Sequence, residues 1–249
     1  MSNPVLNNRI QERFMQSADS YGAMTISGTV LKTLFLFAIL LTSAFYTFSL
    51  MLNGFMDKAL MLGTVGAIGG LITAFVIIFS RNEKILAPLA ILYSALEGLF
   101  IGGISASFAG KGNLSLVVNA VFATFAVLAA MLFLYSAKII KCTEKFQSIV
   151  ILATFSVLII YLVTFIMGFF NPAASSVLMG SGNAGILFSI LVCIIAASNL
   201  IVDFHIVENA KNLNLSKSFE WYGAFSLMVT LIWLYIEVLK LLSKLSSRN

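Results

Sequence analysis

The sequence predicts an all-α, polytopic membrane protein with seven transmembrane helices, the seventh central in the bundle. Three observations carry this. The chain is 60% hydrophobic and 10% charged over 249 residues, whereas soluble domains are about a quarter charged; its mean hydropathy is +1.01. Seven apolar runs follow one another, each at least the roughly 20 residues that a bilayer core demands. The last run carries a stripe of less apolar residues. Gly223, Ser226, Thr230, Trp233, Glu237, Lys240 and Lys244 alternate at steps of three and four, which puts them on one helical face. A carboxylate in hydrocarbon is costly, so this face should meet protein or water. That places the seventh helix inside, with the others around it.

The chain divides into a polar segment, 1–27, and a transmembrane domain, 28–249. The first is mixed in charge and lacks a basic stub, short apolar core and cleavage site, so the first spanning helix is expected to be its own insertion signal. The runs fall at about 29–52, 59–80, 85–109, 114–137, 149–170, 184–207 and 221–245. Lys32 lies one turn inside the first, where it can snorkel. Gly66 and Gly70 in the second, and Gly98 and Gly102 in the third, are GxxxG pairs that let backbones approach closely. Short connectors predict an antiparallel bundle. Asn171-Pro172 and residues 180–183 mark the connector between runs five and six as irregular.

Lysine and arginine orient the chain. With a cytoplasmic amino terminus, the inner segments hold Arg9, Arg13, Lys32, Arg81, Lys84, Lys138, Lys141, Lys145, Lys211 and Lys217, and the outer loops only Lys58 and Lys111. That bias obeys the positive-inside rule. A full seventh crossing would put Lys240, Lys244 and Arg248 outside, against the rule, so the side of the tail stays open. The net charge of +5 is scattered between apolar runs and is no nucleic-acid signal. Cys142 and Cys193 suggest neither a disulfide framework nor a metal site. No GxSxG, HExxH or GxGD setting occurs, so no enzyme, catalytic residue or resident cofactor is expected.

The chemistry lies with ionisable residues inside the runs: Glu97 in the third, Asp203 and His205 in the sixth, Glu237 in the seventh. Asn199 precedes Asp203 by four residues, and its amide can donate to that carboxylate. Two acids close together in low dielectric cannot easily both be charged, so such a pair would share a proton. Deprotonated, it offers hard oxygens suited to transient Ca2+, with Asp203 and Glu97 the candidate ligands. Protonated, it can hold two helices together. Plainer readings stand beside these. Glu237 can pair with Lys240 one turn on, Asp203 can be interfacial, His205 can be packing, and Glu97 can make a structural hydrogen bond.

Four stretches resemble the Bax inhibitor-1 (transmembrane Bax inhibitor motif) family, in a bacterial YccA-related branch: MTISGTVLKT at 24–33, YSALEGLFIGGIS at 93–105, NLIVDFHIVE at 199–208 and EWYGAFSLMVTLIWLYIEVLKLL at 220–242. The resemblance implies six helices around a central seventh. Some members are described as pH-sensitive calcium leak channels gated by two aspartates, one late in helix six and one in helix seven. Asp203 matches the first. The second position, read in register with Lys240, falls on Thr230 and not on Glu237. Counting from Trp221, Thr230 stands roughly 13 Å along an ideal helix and Glu237 roughly 24 Å; Glu97 stands roughly 18 Å from Ile85. Thr230 is thus the expected neighbour of Asp203. The proton-sharing pair is Asp203 with Glu97, or Glu97 with Glu237, and Ser226 lends a further hydroxyl. Some relatives lock the gate with a helix-two arginine, which is absent or replaced here. The expected function is a pH-sensitive calcium leak channel in a bacterial inner membrane, gated by protonation of its intramembrane acids, with Ca2+ and H+ as its partners. The alternatives are a non-conducting scaffold that meets a membrane-bound protease through residues 1–27, or a proton-coupled transporter.

Overall fold

The computed structural model describes residues 14, 22–80, 82–109, 113–170 and 180–248. Most of segment 1–27, with Arg9 and Arg13, lies outside them, as do Arg81, Lys111 and Asn171-Pro172. The described chain is helical: α1 Ile26–Leu52, α2 Met56–Phe79, a 3-10 turn Glu83–Ile85, α3 Leu86–Ala109, α4 Leu114–Ser136, α5 Glu144–Phe170, α6 Asn183–Asn212 and α7 Phe219–Ser246. All seven α-helices are long and apolar enough to cross a membrane.

The helix ends follow local chemistry. Thr25 is extended and caps α1 by accepting the Gly28 amide through its side chain, satisfying one orphan donor of the first turn. Gly54, at φ +82°, turns the chain between α1 and α2 in a conformation that glycine adopts without cost from a Cβ. α6 runs five residues past the expected end at 207, through a polar stretch to Asn212 that lies outside the apolar run. Lys211 in its last turn complements the helix dipole. Asp203 is therefore more than two turns inside its helix.

The chain forms two compact units: Met1–Gly112 with Asp203–Val229, and Asn113–Val202 with Thr230–Asn249. α6 and α7 each contribute to both. In the first, α3 packs against α2 and α1 through glycines. A Cβ on Gly66 would run into the Leu96 carbonyl, and one on Gly103 would stand 2.8 Å from the Gly63 Cα. Gly98 and Gly102 instead meet α1, at Leu40, Ser43, Ala44 and Thr47. The two GxxxG pairs therefore serve two different seams of α3.

The start of α7 is tied to the amino-terminal side. Met24 donates its amide to Leu215 at 2.8 Å, Ser216 to Phe14 at 2.9 Å and Lys217 to Gly22 at 2.8 Å. Phe14 is fully buried and meets Phe219 edge-on, with centroids 5.1 Å apart.

Burial ranks the helices. Of the most apolar stretch of each, 61% of α7 is buried and 11% of α5. Between Gly223 and Leu239, α7 exposes Val229 and is partly exposed at Ser226, Trp233 and Ile236.

Candidate functional site

The three intramembrane acids sit in three settings. Asp203 on α6 is buried, and Ser226 Oγ on α7 donates to its Oδ1 at 2.7 Å. This joins the late part of α6 to the first half of α7 through one carboxylate. Thr230, the expected neighbour, is buried one turn beyond Ser226. The hydroxyl that donates to Asp203 at 2.7 Å is that of Ser226, one turn before Thr230.

Asn199 does not support Asp203. Its amide donates to the Ile195 carbonyl at 2.9 Å and to Thr154 Oγ1 on α5 at 2.9 Å. A four-residue spacing puts two side chains on one face but leaves the amide free to choose nearer acceptors, here its own helix backbone and a neighbouring helix.

Glu97 on α3 is buried against α2. A Cβ on Gly70 would stand 2.5 Å from its Oε1, so the carboxyl occupies the space that this glycine leaves. Glu97 therefore meets backbone at this seam.

Glu237 on α7 is 1% exposed and fully matched. Lys240 Nζ lies 3.0 Å from Oε1, and the Tyr161 hydroxyl of α5 donates to Oε2 at 2.7 Å. The same ammonium sits 4.6 Å from the Tyr161 ring centroid, adding a cation–π contact. This is the plainer reading of Glu237: a fixed ion pair with the lysine one turn on.

The other basic residues of the tail are also engaged. Lys244 donates to Ser189 Oγ at 2.8 Å and to the Gly185 carbonyl at 3.0 Å, and Arg248 donates to Asn183 Oδ1 at 3.0 Å. The end of α7 thus lies beside the start of α6, and the tail cations are held by protein partners.

His205 is half-buried and accepts from the Asn209 amide, 2.9 Å from its Nε2, a contact within one helix turn. Among the described residues no group of three or more His, Cys, Asp or Glu side chains could hold a metal ion.

Sequence reasoning passed over Glu220. It is 1% exposed and lies 2.5 Å from Lys32 Nζ. Its Oε1 accepts the Thr25 amide at 2.8 Å and the Thr25 hydroxyl at 3.1 Å. Lys32 therefore does not simply snorkel; it pairs with an acid on α7 and lies 5.1 Å from the Trp221 ring centroid. Gly28 makes the room, since a Cβ there would overlap the Glu220 carboxyl. The available signal was a lysine inside an apolar run with no acid on its own helix.

Seven membrane-length helices, with buried acids on three of them, define a multi-pass membrane protein. A family model described as Bax inhibitor 1 like matches residues 3–247, and the chain belongs to the Bax inhibitor-1 family. Among curated proteins none matches the chain.

Proposed function

We propose that this protein is a pH-sensitive cation leak channel that passes Ca2+ and is gated by protonation of acids within its helices. The observation that carries this is the Asp203–Ser226 contact: a buried carboxylate on one membrane helix held by a hydroxyl on another, at 2.7 Å. Ionised, Asp203 accepts this hydrogen bond and offers hard oxygen to a passing cation. Protonated, it loses its charge and becomes a donor itself, so proton uptake changes how α6 and α7 hold one another. Glu97 is a second acid on the path and a second transient Ca2+ ligand. Glu237, with its cation and hydroxyl in place, holds the opposite part of α7 fixed.

The lysine bias supports a cytoplasmic amino terminus, and the family resemblance supports a bacterial inner membrane. The scaffold alternative asks segment 1–27 to meet a protease. Phe14 and residues 22–25 are instead bound to the α6–α7 connector and the start of α7, which favours the channel.

The test is Ca2+ flux into liposomes holding the purified protein, across about pH 6 to 8, where a buried carboxyl can titrate. Wild type is compared with Asp203→Asn, Ser226→Ala, Glu97→Gln and Glu237→Gln. Flux should depend on pH in the wild type and lose that dependence in Asp203→Asn. Flux that ignores both pH and all four substitutions rules the channel out.

A further inference from the structure

The end of α7 carries more positive charge than its surroundings balance. In the second unit, the charged side chains outside the stretch 138–145 are Glu237, Lys240, Lys244 and Arg248. Residues 146–202, which supply most of α5 and the first two thirds of α6, hold no Asp, Glu, Lys or Arg. One carboxylate therefore stands against three cations, and it is engaged by Lys240 at 3.0 Å. A net charge of this kind in a membrane helix is costly and calls for a counter-charge.

The fold gathers the excess in one place. Lys244 donates to the Gly185 carbonyl and to Ser189 Oγ, and Arg248 donates to Asn183 Oδ1. Both cationic heads thus lie against residues 183–189 of α6, about 9 Å of helix. The two side chains leave α7 four residues apart, as neighbours on its surface. These acceptors are neutral, so they orient the cations and leave the charge. Lys244 is half-buried and Arg248 exposed. The start of α6 adds to the same field. It is the positive end of a helix dipole, and its first turn holds no acid. Arg248 has five N–H donors, of which one serves Asn183.

We infer that this end of α7 binds the headgroup phosphate of an anionic phospholipid. Arg248 meets the phosphate with its planar fork, and Lys244 supplies the second charge beside it. Charge selects the lipid class. Two net positive charges favour a lipid of net negative charge over a zwitterionic one, whose own ammonium competes for the phosphate. Surroundings select a lipid over a free anion. Leu187, between the two α6 acceptors of Lys244 in sequence, is 68% exposed, and Leu245, next to Lys244, is 42% exposed. Apolar surface thus adjoins the cations at the end of a membrane helix, where headgroups and acyl chains meet. The inference does not rest on the leak reading. It is read from melting and not from flux, so either can fail alone.

The experiment is thermal unfolding of the full chain in a neutral detergent, titrated with phosphatidylglycerol or with phosphatidylcholine of the same acyl chains. Binding to the folded state alone raises Tm in a saturable way, by about 5 °C or more at a hundredfold excess over Kd. The rise should be specific to phosphatidylglycerol and should shrink as NaCl is added. Arg248→Gln and Lys244→Gln should each weaken the apparent affinity about fivefold. The double variant should abolish the specific rise, and Lys244→Arg should keep it. Arg248 is exposed, so Arg248→Gln tests the site even if Lys244→Gln fails to fold. Lys141→Gln removes an exposed cation from the α4–α5 connector and should leave the rise unchanged. An equal rise with phosphatidylcholine, a rise that survives the double variant, an equal loss in Lys141→Gln, or the same rise from sodium phosphate without lipid would each overturn the assignment.

Discussion

Gly66→Ala tests whether α2 and α3 meet backbone to backbone. A methyl at Gly66 would collide with the Leu96 carbonyl oxygen, stand 2.6 Å from the Phe100 amide nitrogen and 3.0 Å from Leu99 Cβ. Ordinary contact begins near 3.4 Å, so the helices must part by about 1 Å, and the obstacles are helix backbone that cannot turn aside. Overpacking of this kind costs about 1–3 kcal/mol. Alanine returns about 0.5–1 kcal/mol through helix propensity, leaving a net loss of about 1–2 kcal/mol. Gly69→Ala is the control, with the same chemistry on the same helix. There the nearest atoms are the two Leu96 methyls at 3.1 Å, which can rotate away, so the propensity gain should survive. At about 2–4 °C per kcal/mol for a chain of this size, Gly66→Ala should melt about 3–6 °C below wild type, and Gly69→Ala at or slightly above it. The assay is tryptophan fluorescence from Trp221 and Trp233 on heating in detergent at one scan rate, since membrane proteins commonly unfold irreversibly. Gly66→Ala melting as high as Gly69→Ala would refute the close α2–α3 seam.

Two further outcomes can be checked directly. Lys32→Met strands the buried Glu220 carboxylate and should lower stability by about 3 kcal/mol; adding Glu220→Gln should recover a good part of it, measured as a double-mutant cycle in thermal melts. Cys142, in the connector between α4 and α5, has its thiol pushed up to about 11 by burial. Maleimide attacks only the thiolate, so labelling at pH 7 should be about a hundredfold slower than for an ordinary cysteine and rise about tenfold per pH unit up to that value.

The architecture was legible because it follows from length and period. A bilayer sets run length, and glycine spacing announced close seams. What remained hidden depends on which helix stands opposite a side chain. Spacing alone placed Asn199 on the Asp203 face, yet it could not show Thr154 waiting on α5. The register argument pointed to Thr230 and did not single out Ser226 as a donor to Asp203; Asp203 sits deeper in its helix than the apolar run implied, because α6 continues to Asn212. Glu220 fell just outside the last apolar run and so escaped notice as a membrane acid. Lys32 was visible, and its need for a partner was the clue left unused. Tyr161 could not have been singled out from a run of Ile, Leu and Phe, since only the fold brings Glu237 to it.

The settings of the acids also decide how their substitutions must be read. Glu237→Gln leaves the Lys240 ammonium beside a neutral amide and weakens a charge-assisted bond from Tyr161, so it damages packing whether or not Glu237 senses protons. Glu97→Gln removes a buried charge on which no Lys, Arg or His among the described residues acts, so it should fold at least as well as wild type. Asp203→Asn keeps a group that can still accept from Ser226. Its effect on flux therefore reports the missing charge and proton more than a missing contact. Of the three isosteric changes, the one at Asp203 most cleanly separates gating from folding, and the one at Glu237 does so least. A flux defect confined to Glu237→Gln would speak for a broken ion pair, whereas loss of pH response in Asp203→Asn, with Tm unchanged, is the signature a gate requires.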